Sequence, residues 1–318
     1  MIITFNLESS KIKLLQQQND KKSFVVDFLS EYQSKDGSAF NFSKSIQSIC
    51  EDPEILKILK KEKNSVVLPD PFVCVDCLTV PFEKRDPRQY LNSKFELLYG
   101  EKKNFAFSDD IYLKNKNIVK FLIYITKSQN ISQIVSSFEK YGVKIKRFSF
   151  ESAEILEEIL SENKQLLKEN LLVACVSKDK FKFIVSAKGK LFAHQTVMFK
   201  SNEFAKKYAK YVKTNYKKLS NSATINEKDI EKTKVVSQRL AKNYELLPDY
   251  IKDFKEYFAK EDMSFAFDQV VVIDSKNLID DELLENCLKI EFDENKVSYA
   301  ASGSYFMETK KGLFWYEK

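Results

Sequence analysis

The stretch LLVACVSKDKFKFIVSAKGKLFAHQTVMF, Leu171–Phe199, decides the fold. It divides into three extended runs, Leu171–Ser177, Lys180–Ala187 and Lys190–Phe199, and the second of its two short turns carries Gly189. Strand-length apolar runs separated by turn residues predict an antiparallel meander. The same plan opens the chain, with strand-like runs at Ile2–Leu7, Lys11–Gln17 and Phe24–Leu29. The first bend of that opening meander lies in FNLESSKIK, Phe5–Lys13. Two meanders, each followed by helical segments, predict an internally duplicated α/β protein.

Outward from these meanders, further strands are expected at Ser65–Leu68, Phe72–Val80, Val119–Thr126, Lys144–Phe150 and Gln269–Asp274. Helices are expected at Phe42–Cys50, Pro53–Lys61, Pro87–Tyr99, Ile131–Tyr141, Ala153–Glu169, Glu203–Leu219, Glu227–Tyr244, Tyr250–Ala259 and Asp280–Leu288. Those at 131–141 and 153–169 carry apolar residues three and four apart, the spacing of one helix face. A chain of 318 residues is long enough for roughly two domains. Pro69-Asp70-Pro71 and Glu83–Pro87 interrupt the first half.

Composition removes several function classes. There are six glycines in the chain, none of them in a GxGxxG or GxxxxGK[ST] pattern. Glycine loops let a backbone approach phosphate closely, so ordinary nucleotide enzymes built on such loops are disfavoured. The five cysteines include one CxxC, Cys74–Cys77, inside the extended run FVCVDCLTV. On a strand, residues three apart point to opposite faces, which suits neither a zinc clamp nor a redox pair. They are expected to be structural. The formal net charge of +6 comes mostly from dispersed lysines and predicts a solvated surface first, an anionic partner second. The start MIITFNLESS lacks a basic n-region before an apolar core. The longest apolar runs, such as FLIYI and QVVVI, are strand-sized, far below the ~20 residues that span a bilayer. A soluble, cytoplasmic chain is the expectation.

The duplicated meander resembles the actin-like ATPase fold, and within it the chain is most similar to PilM-type proteins. These are cytoplasmic assembly factors of type IV pili and of related type II secretion and DNA-uptake machines. The family's first hairpin reads D-I-G-S-S-x-I-K, against which this chain has Asn6, Leu7, Glu8, Ser9, Ser10, Lys11, Ile12 and Lys13. The family's two apolar-Pro strand ends are matched by VVLPDPFVCVDCLTVPF. Its strand, helix and Gly-Val turn are matched by FLIYITKSQNISQIVSSFEKYGVKIKRF. Its second Asp-x-Gly hairpin falls on Cys175-Val176-Ser177, its Gly-Gly strand end on Asp274-Ser275, and its closing Ala-x-Gly on Ala300–Gly303. On its own, FNLESSKIK is also compatible with an ordinary β-hairpin.

What the resemblance implies is a duplicated actin-like, ribonuclease H-like α/β fold of two lobes with an inserted small subdomain. The first lobe would span 1–165 with the insertion at about 72–150, and the second 166–318 with a helical part at about 203–262. The same alignment implies a degenerate nucleotide cleft formed by Asn6, Glu8, Ser9, Ser10, Lys11, Cys175, Ser177, Asp274 and Ser275. Asn6 supplies no carboxylate to orient metal-bound water. Glu8 would set a negative charge against phosphate, a repulsion of about 4 kcal/mol at about 4 Å and an effective dielectric near ~20. Ser9, Ser10 and Lys11 could still hold a phosphate weakly, so no cofactor is expected beyond weak residual ATP binding.

The implied function is a non-catalytic scaffold at the inner face of the inner membrane, a pseudo-ATPase. It would bind the cytoplasmic tail of a PilN-like membrane protein, with an assembly ATPase and other platform proteins as further partners. The tail would lie in a groove between the first core and the insertion, near Val73, Val75, Leu78, Phe82, Leu122 and Tyr124. The cytoplasmic domain of a GspL-like secretion protein is a related reading. Two other classes compete, an active or filament-forming actin-like ATPase and a basic nucleic-acid-binding module. The second rests on the Lys206, Lys210, Lys213 and Lys217 stripe of helix Phe204–Lys218 and is the less favoured. That stripe, and the Trp-containing KKGLFWYEK, are also compatible with an ordinary solvated face or a lipid contact. His194 is expected to be structural, and Asp109-Asp110 and Asp280-Asp281 to be loop or helix-start charges.

Overall fold

The computed structural model describes residues 1–6, 11–15, 23–27, 42–82, 86–177, 180–198, 243–260, 266–274 and 297–300. The expected helices at 203–219 and 280–288, most of that at 227–244, and the C-terminal KKGLFWYEK lie outside these residues. The chain divides into two compact units, Met1–Glu162 with Lys190–Ala193 and Tyr305–Lys318, and Asn163–Gly189 with His194–Ser304. In chain order the first unit carries β1 (Ile2–Asn6), β2 (Lys11–Leu15), β3 (Ser23–Asp27), α1 (Phe42–Cys50), α2 (Pro53–Lys61) and β4 (Asn64–Leu68). It continues with β5 (Cys74–Pro81), α3 (Pro87–Tyr99), β6 (Phe105–Lys114), β7 (Ile118–Lys127), α4 (Ser128–Glu139), β8 (Ile145–Phe150) and α5 (Glu151–Glu162). Then follow β9 (Asn170–Ser177), β10 (Lys180–Ala187), β11 (Lys190–Met198), α6 (Leu247–Lys260), β12 (Gln269–Ile273) and β13 (Val297–Ala300).

The duplication is visible in the strand orders, β3-β2-β1-β4-β8 and β11-β10-β9-β12-β13. In each sheet the first hairpin is antiparallel, the fourth strand runs parallel to the first, and the fifth runs parallel to the fourth. Strands covered on both faces read as continuous apolar runs, and β10 is buried at every position. One of its faces sends Phe181 and Phe183 against α6, with Phe183–Phe254 ring centroids 4.7 Å apart and Phe181–Tyr250 5.9 Å apart. The β10–β11 turn places Lys188 and Gly189 at φ 49° and 78°, both in the left-handed region that a two-residue hairpin demands.

In the first unit Ile3, Phe5, Leu14, Val66, Leu68, Phe148 and Phe150 are fully buried. Phe5 meets Phe42 of α1 edge-on, with centroids 5.2 Å apart. Helix α2 starts where Asp52 accepts from the backbone N–H of Glu54 and Ile55, with Pro53 at the first helical position, the expected chemistry of a helix N-terminus. Buried Asn64 donates from Nδ2 to Leu59 O at 2.7 Å and to Lys144 O at 3.1 Å. It thereby ties the end of α2 to the approach to β8.

The insertion is a small sheet, β5-β7-β6, whose one face packs Leu78, Val80, Val119, Phe121, Ile123 and Ile125 with Leu91 and Phe95 of α3. It ends at Lys127, because β8 returns to pair with β4 in the main sheet; the expected boundary near 150 is therefore corrected. Strand β6 is absent from the sequence reading. Its Ser108-Asp109-Asp110 interrupts the apolar alternation and every position stays at least partly exposed. The same pair of aspartates thus sits on a strand, not in a loop. The helix expected to 169 stops at Glu162, and a 3-10 turn follows over Lys164–Lys168. Among the described residues no helix is long and apolar enough to cross a membrane.

Two stability predictions follow from this packing. Asp70, 2% exposed, accepts from Ser152 N at 2.9 Å and from Ser152 Oγ at 2.7 Å, capping α5. Asp70→Ala should lower the unfolding free energy by about 2 kcal/mol in a denaturant titration. On α5, half-buried Glu158 has its carboxyl raised to about 7 by burial first, then by Glu162 and Glu154. A folded-state value above the ordinary 4.5 means that the native state holds the proton, so stability falls as pH rises from 4.5 through about 7. Glu158→Gln should therefore melt higher than the parent at pH 8, and the difference should close below pH 4.5.

Candidate functional site

In the first unit β1 and β4 run parallel, so Asn6 and Leu68 end at one edge of the sheet. Ligands of open α/β sheets gather beyond such carboxyl ends. The hairpin above that edge is closed by the pair Asn6↔Lys11. Glu8, Ser9 and Ser10, and the side chains of Asn6 and Lys11, lie outside the described residues. In the second unit Cys175 pairs with Lys182 on one side and Ile273 on the other, and Ser177 pairs with Lys180. Asp274, fully buried, directly follows β12. The sheet therefore brings Cys175, Ser177 and Asp274 to the corresponding carboxyl edge, while Ser275 lies outside the described residues.

Sequence reading missed two groups at that edge. Lys180 and Lys182 are both buried, at 8% and 6% exposure, and their alternate spacing places them on one face of β10. Burial, and then the neighbouring Lys182, lowers the Lys180 ammonium to about 7. The Lys-x-Lys alternation inside an otherwise apolar strand was the available signal. Chemically, this edge combines lysines with a thiol and a hydroxyl at the aligned hairpin positions. Among the described residues no group of three His, Cys, Asp or Glu side chains could hold a metal ion.

The six expected groove residues do not share a surface. In β5 and β7 the register Val75↔Tyr124, Cys77↔Leu122 and Leu78↔Phe121 puts Val75, Leu122 and Tyr124 on one face and Leu78 on the other. Leu78 and Phe82 belong to the core beneath α3, where Lys114 Nζ stands 4.5 Å over the Phe82 ring. Val73, Leu122 and Tyr124 are buried. The Tyr124 hydroxyl donates to Leu191 O at 3.0 Å, its ring lies 6.1 Å from that of Phe150, and burial raises its pKa. Lys190 Nζ donates to Asp110 Oδ1 at 2.6 Å and to Ile111 O at 2.7 Å, while Phe192 meets Tyr112 edge-on at 5.3 Å. The Tyr124 end of that face is thus covered by Lys190–Ala193 of the same unit. Val75, Cys77 and Thr79 stay partly exposed.

Cys74 and Cys77 lie on β5 as free thiols, and burial is the first cause raising both above the ordinary thiol range. Low-pKa nucleophilic cysteines have the opposite electrostatics. His194 is partly buried on β11.

Comparison of the sequence with protein-family profiles and with curated proteins gives no match. Among solved structures, a chain of the PilM-PilN type IV pilus biogenesis complex superposes with a TM-score of 0.65 at 9% identity, covering 94% of this chain and 87% of that one. A Bacteroides thetaiotaomicron protein with an actin-like ATPase fold gives 0.43 at 11% identity, covering 94% and 89%. The cytoplasmic domain of EpsL, an inner-membrane component of the Vibrio cholerae type II secretion system, gives 0.38 at 13% identity, covering 62% and 70%. The chain has the duplicated actin-like fold, in the form seen in the PilM-PilN complex.

Proposed function

We propose that this protein is an actin-like scaffold of a pilus or type II secretion assembly platform, and that it binds the cytoplasmic tail of a PilN-like membrane protein without turning over ATP. The observation that carries the reading is the likeness to the PilM-PilN complex over 94% of the chain, an extent that takes in both sheets and the insertion. The identities at the hairpins agree with it. Asn6 and Cys175 stand where the resemblance puts acidic residues, and two buried lysines flank the second position. At those two positions the sequence supplies no carboxylate to orient a magnesium-bound water. The tail would engage the insertion where Val75, Cys77 and Thr79 remain accessible. This would place the protein on the cytoplasmic face of the inner membrane, held there by its partner.

The reading is tested in two steps on the full chain. A thermal-shift and calorimetric titration with Mg-ATP should show neither shift nor heat. A nucleotide at 100 times its dissociation constant would add about 2.7 kcal/mol of stability, which is readily seen, and with turnover would restore the ATPase reading. The tail of the PilN-like protein from the same organism should co-purify with the chain. No capture would sink the scaffold assignment.

A further inference from the structure

The inserted sheet has two edges, and their hydrogen bonds differ. On β5 the N–H of Cys77 donates to Asp76 Oδ1 at 2.6 Å, and the carbonyl of Thr79 accepts from Lys94 Nζ at 2.9 Å. Both groups therefore point away from β7. In an antiparallel pair the main-chain groups of alternate residues face outward, so the outward set is Val75, Cys77, Thr79 and Pro81. Pro81, which has no N–H, occupies a position that only an edge strand tolerates. Among the described residues, the N–H and C=O of Val75, the C=O of Cys77 and the N–H of Thr79 have no hydrogen-bond partner on that side. A carboxylate and an ammonium thus stand in for the acceptor and donor of a missing strand. The β6 edge is different, because the unit's own Lys190 occupies the outward carbonyl of Ile111.

Two further observations point to a ligand at the β5 edge. Lys94 reaches the Thr79 carbonyl from α3, so that flank of the helix overhangs the edge. Leu97 and Leu98, one turn beyond Lys94, are 84% and 55% exposed, with no core to fill. The local charge is positive. Lys120 and Lys94 both act on the Cys77 thiol, opposed by Asp76, and the Asp76 carboxylate is already engaged by the Tyr99 hydroxyl and the Cys77 N–H.

We propose that the outer edge of β5 docks an extended, acidic segment of a partner protein as a fourth strand, with Asp76 and Lys94 holding the edge in its absence. Edge addition takes its affinity from main-chain hydrogen bonds and its selectivity from alternate side chains. One set of those side chains would meet Leu97 and Leu98, and the other Val75 and Thr79. Lys94 and Lys120 favour glutamate or aspartate among them. The proposal deepens the partner-binding reading above by naming the mode and charge of what is bound.

The test uses the full chain and a capped heptapeptide of alternating valine and glutamate, with a valine–lysine peptide as counterpart. Titration should show the acidic peptide binding at least tenfold tighter, with the preference shrinking as salt screens it. Amide hydrogen exchange at Val75 and Thr79 should slow when it binds. Thr79→Pro, which removes an outward N–H and leaves the β7 ladder intact, should abolish binding. Lys94→Glu, a change at a partly exposed position of α3, should reverse the charge preference. Absence of binding, protection elsewhere in the chain, or an unchanged preference in Lys94→Glu would overturn the proposal. Capture of the PilN-like tail without protection of Val75 and Thr79 would overturn this proposal alone. Peptide docking at β5 without tail capture would overturn the scaffold assignment alone.

Discussion

The parallel pairing of a fourth strand against the first, made once in each unit, is the constraint on which the rest of the molecule rests. Parallel neighbours cannot be joined by a tight turn, so everything between the meander and the fourth strand must leave the sheet and return over its face. In the first unit that excursion carries α1 and α2, and in the second α6. The pairing also aligns carboxyl ends, which is why Cys175 and Asp274, 99 positions apart in sequence, come to one edge across β9 and β12, where Cys175 pairs with Ile273. An antiparallel fourth strand would place its end at the opposite edge and leave no common site.

Buried polar bonds tie together the elements of the first unit on either side of the insertion. Asp70, in the segment leaving β4, is bonded to Ser152 at the start of α5. Asn64 reaches the backbone at Lys144 just before β8. Both groups sit where apolar side chains dominate, and each bonds a partner more than 70 residues away, at separations of 82 and 80. Such bonds add modestly to net stability but are costly to leave unmade. They therefore specify how β4, β8 and α5 come together more than they strengthen the core.

The meanders were legible because their strands are short, apolar and separated by turn residues, and Gly189 marked one turn by its chemistry. The second copy, with its unbroken LLVACV and FIVSA, was easier to read than β6, whose charged residues are spent on cross-element bonds. Asp109 pairs with Arg88 of α3 at 3.2 Å, and Asp110 with Lys190. A sequence shows such residues only as polar interruptions. The groove failed for a related reason: Val75 and Leu78 sit three apart on one strand, so the side-chain period of two sends them to opposite faces. The same rule puts Cys74 and Cys77 on opposite faces of β5. Lys180 and Lys182 escaped notice because lysine is rarely buried, and the strand that buries them is set by long-range pairing.

The span of the two fourth-strand closures has a consequence for how the chain tolerates change. The first unit closes across 62 residues, from Met1 to Lys63, and the second across 98, from Asn170 to Asp268. Loop entropy grows only with the logarithm of length, so the ratio 98/62 costs the second closure about 0.4 kcal/mol more. Its thermodynamic burden is slight, while its kinetic burden is larger, since distant strands must meet before the sheet rewards them. The connection between β11 and β12 is accordingly a place where evolution or an engineer can add residues cheaply in equilibrium terms, and pays mainly in folding time.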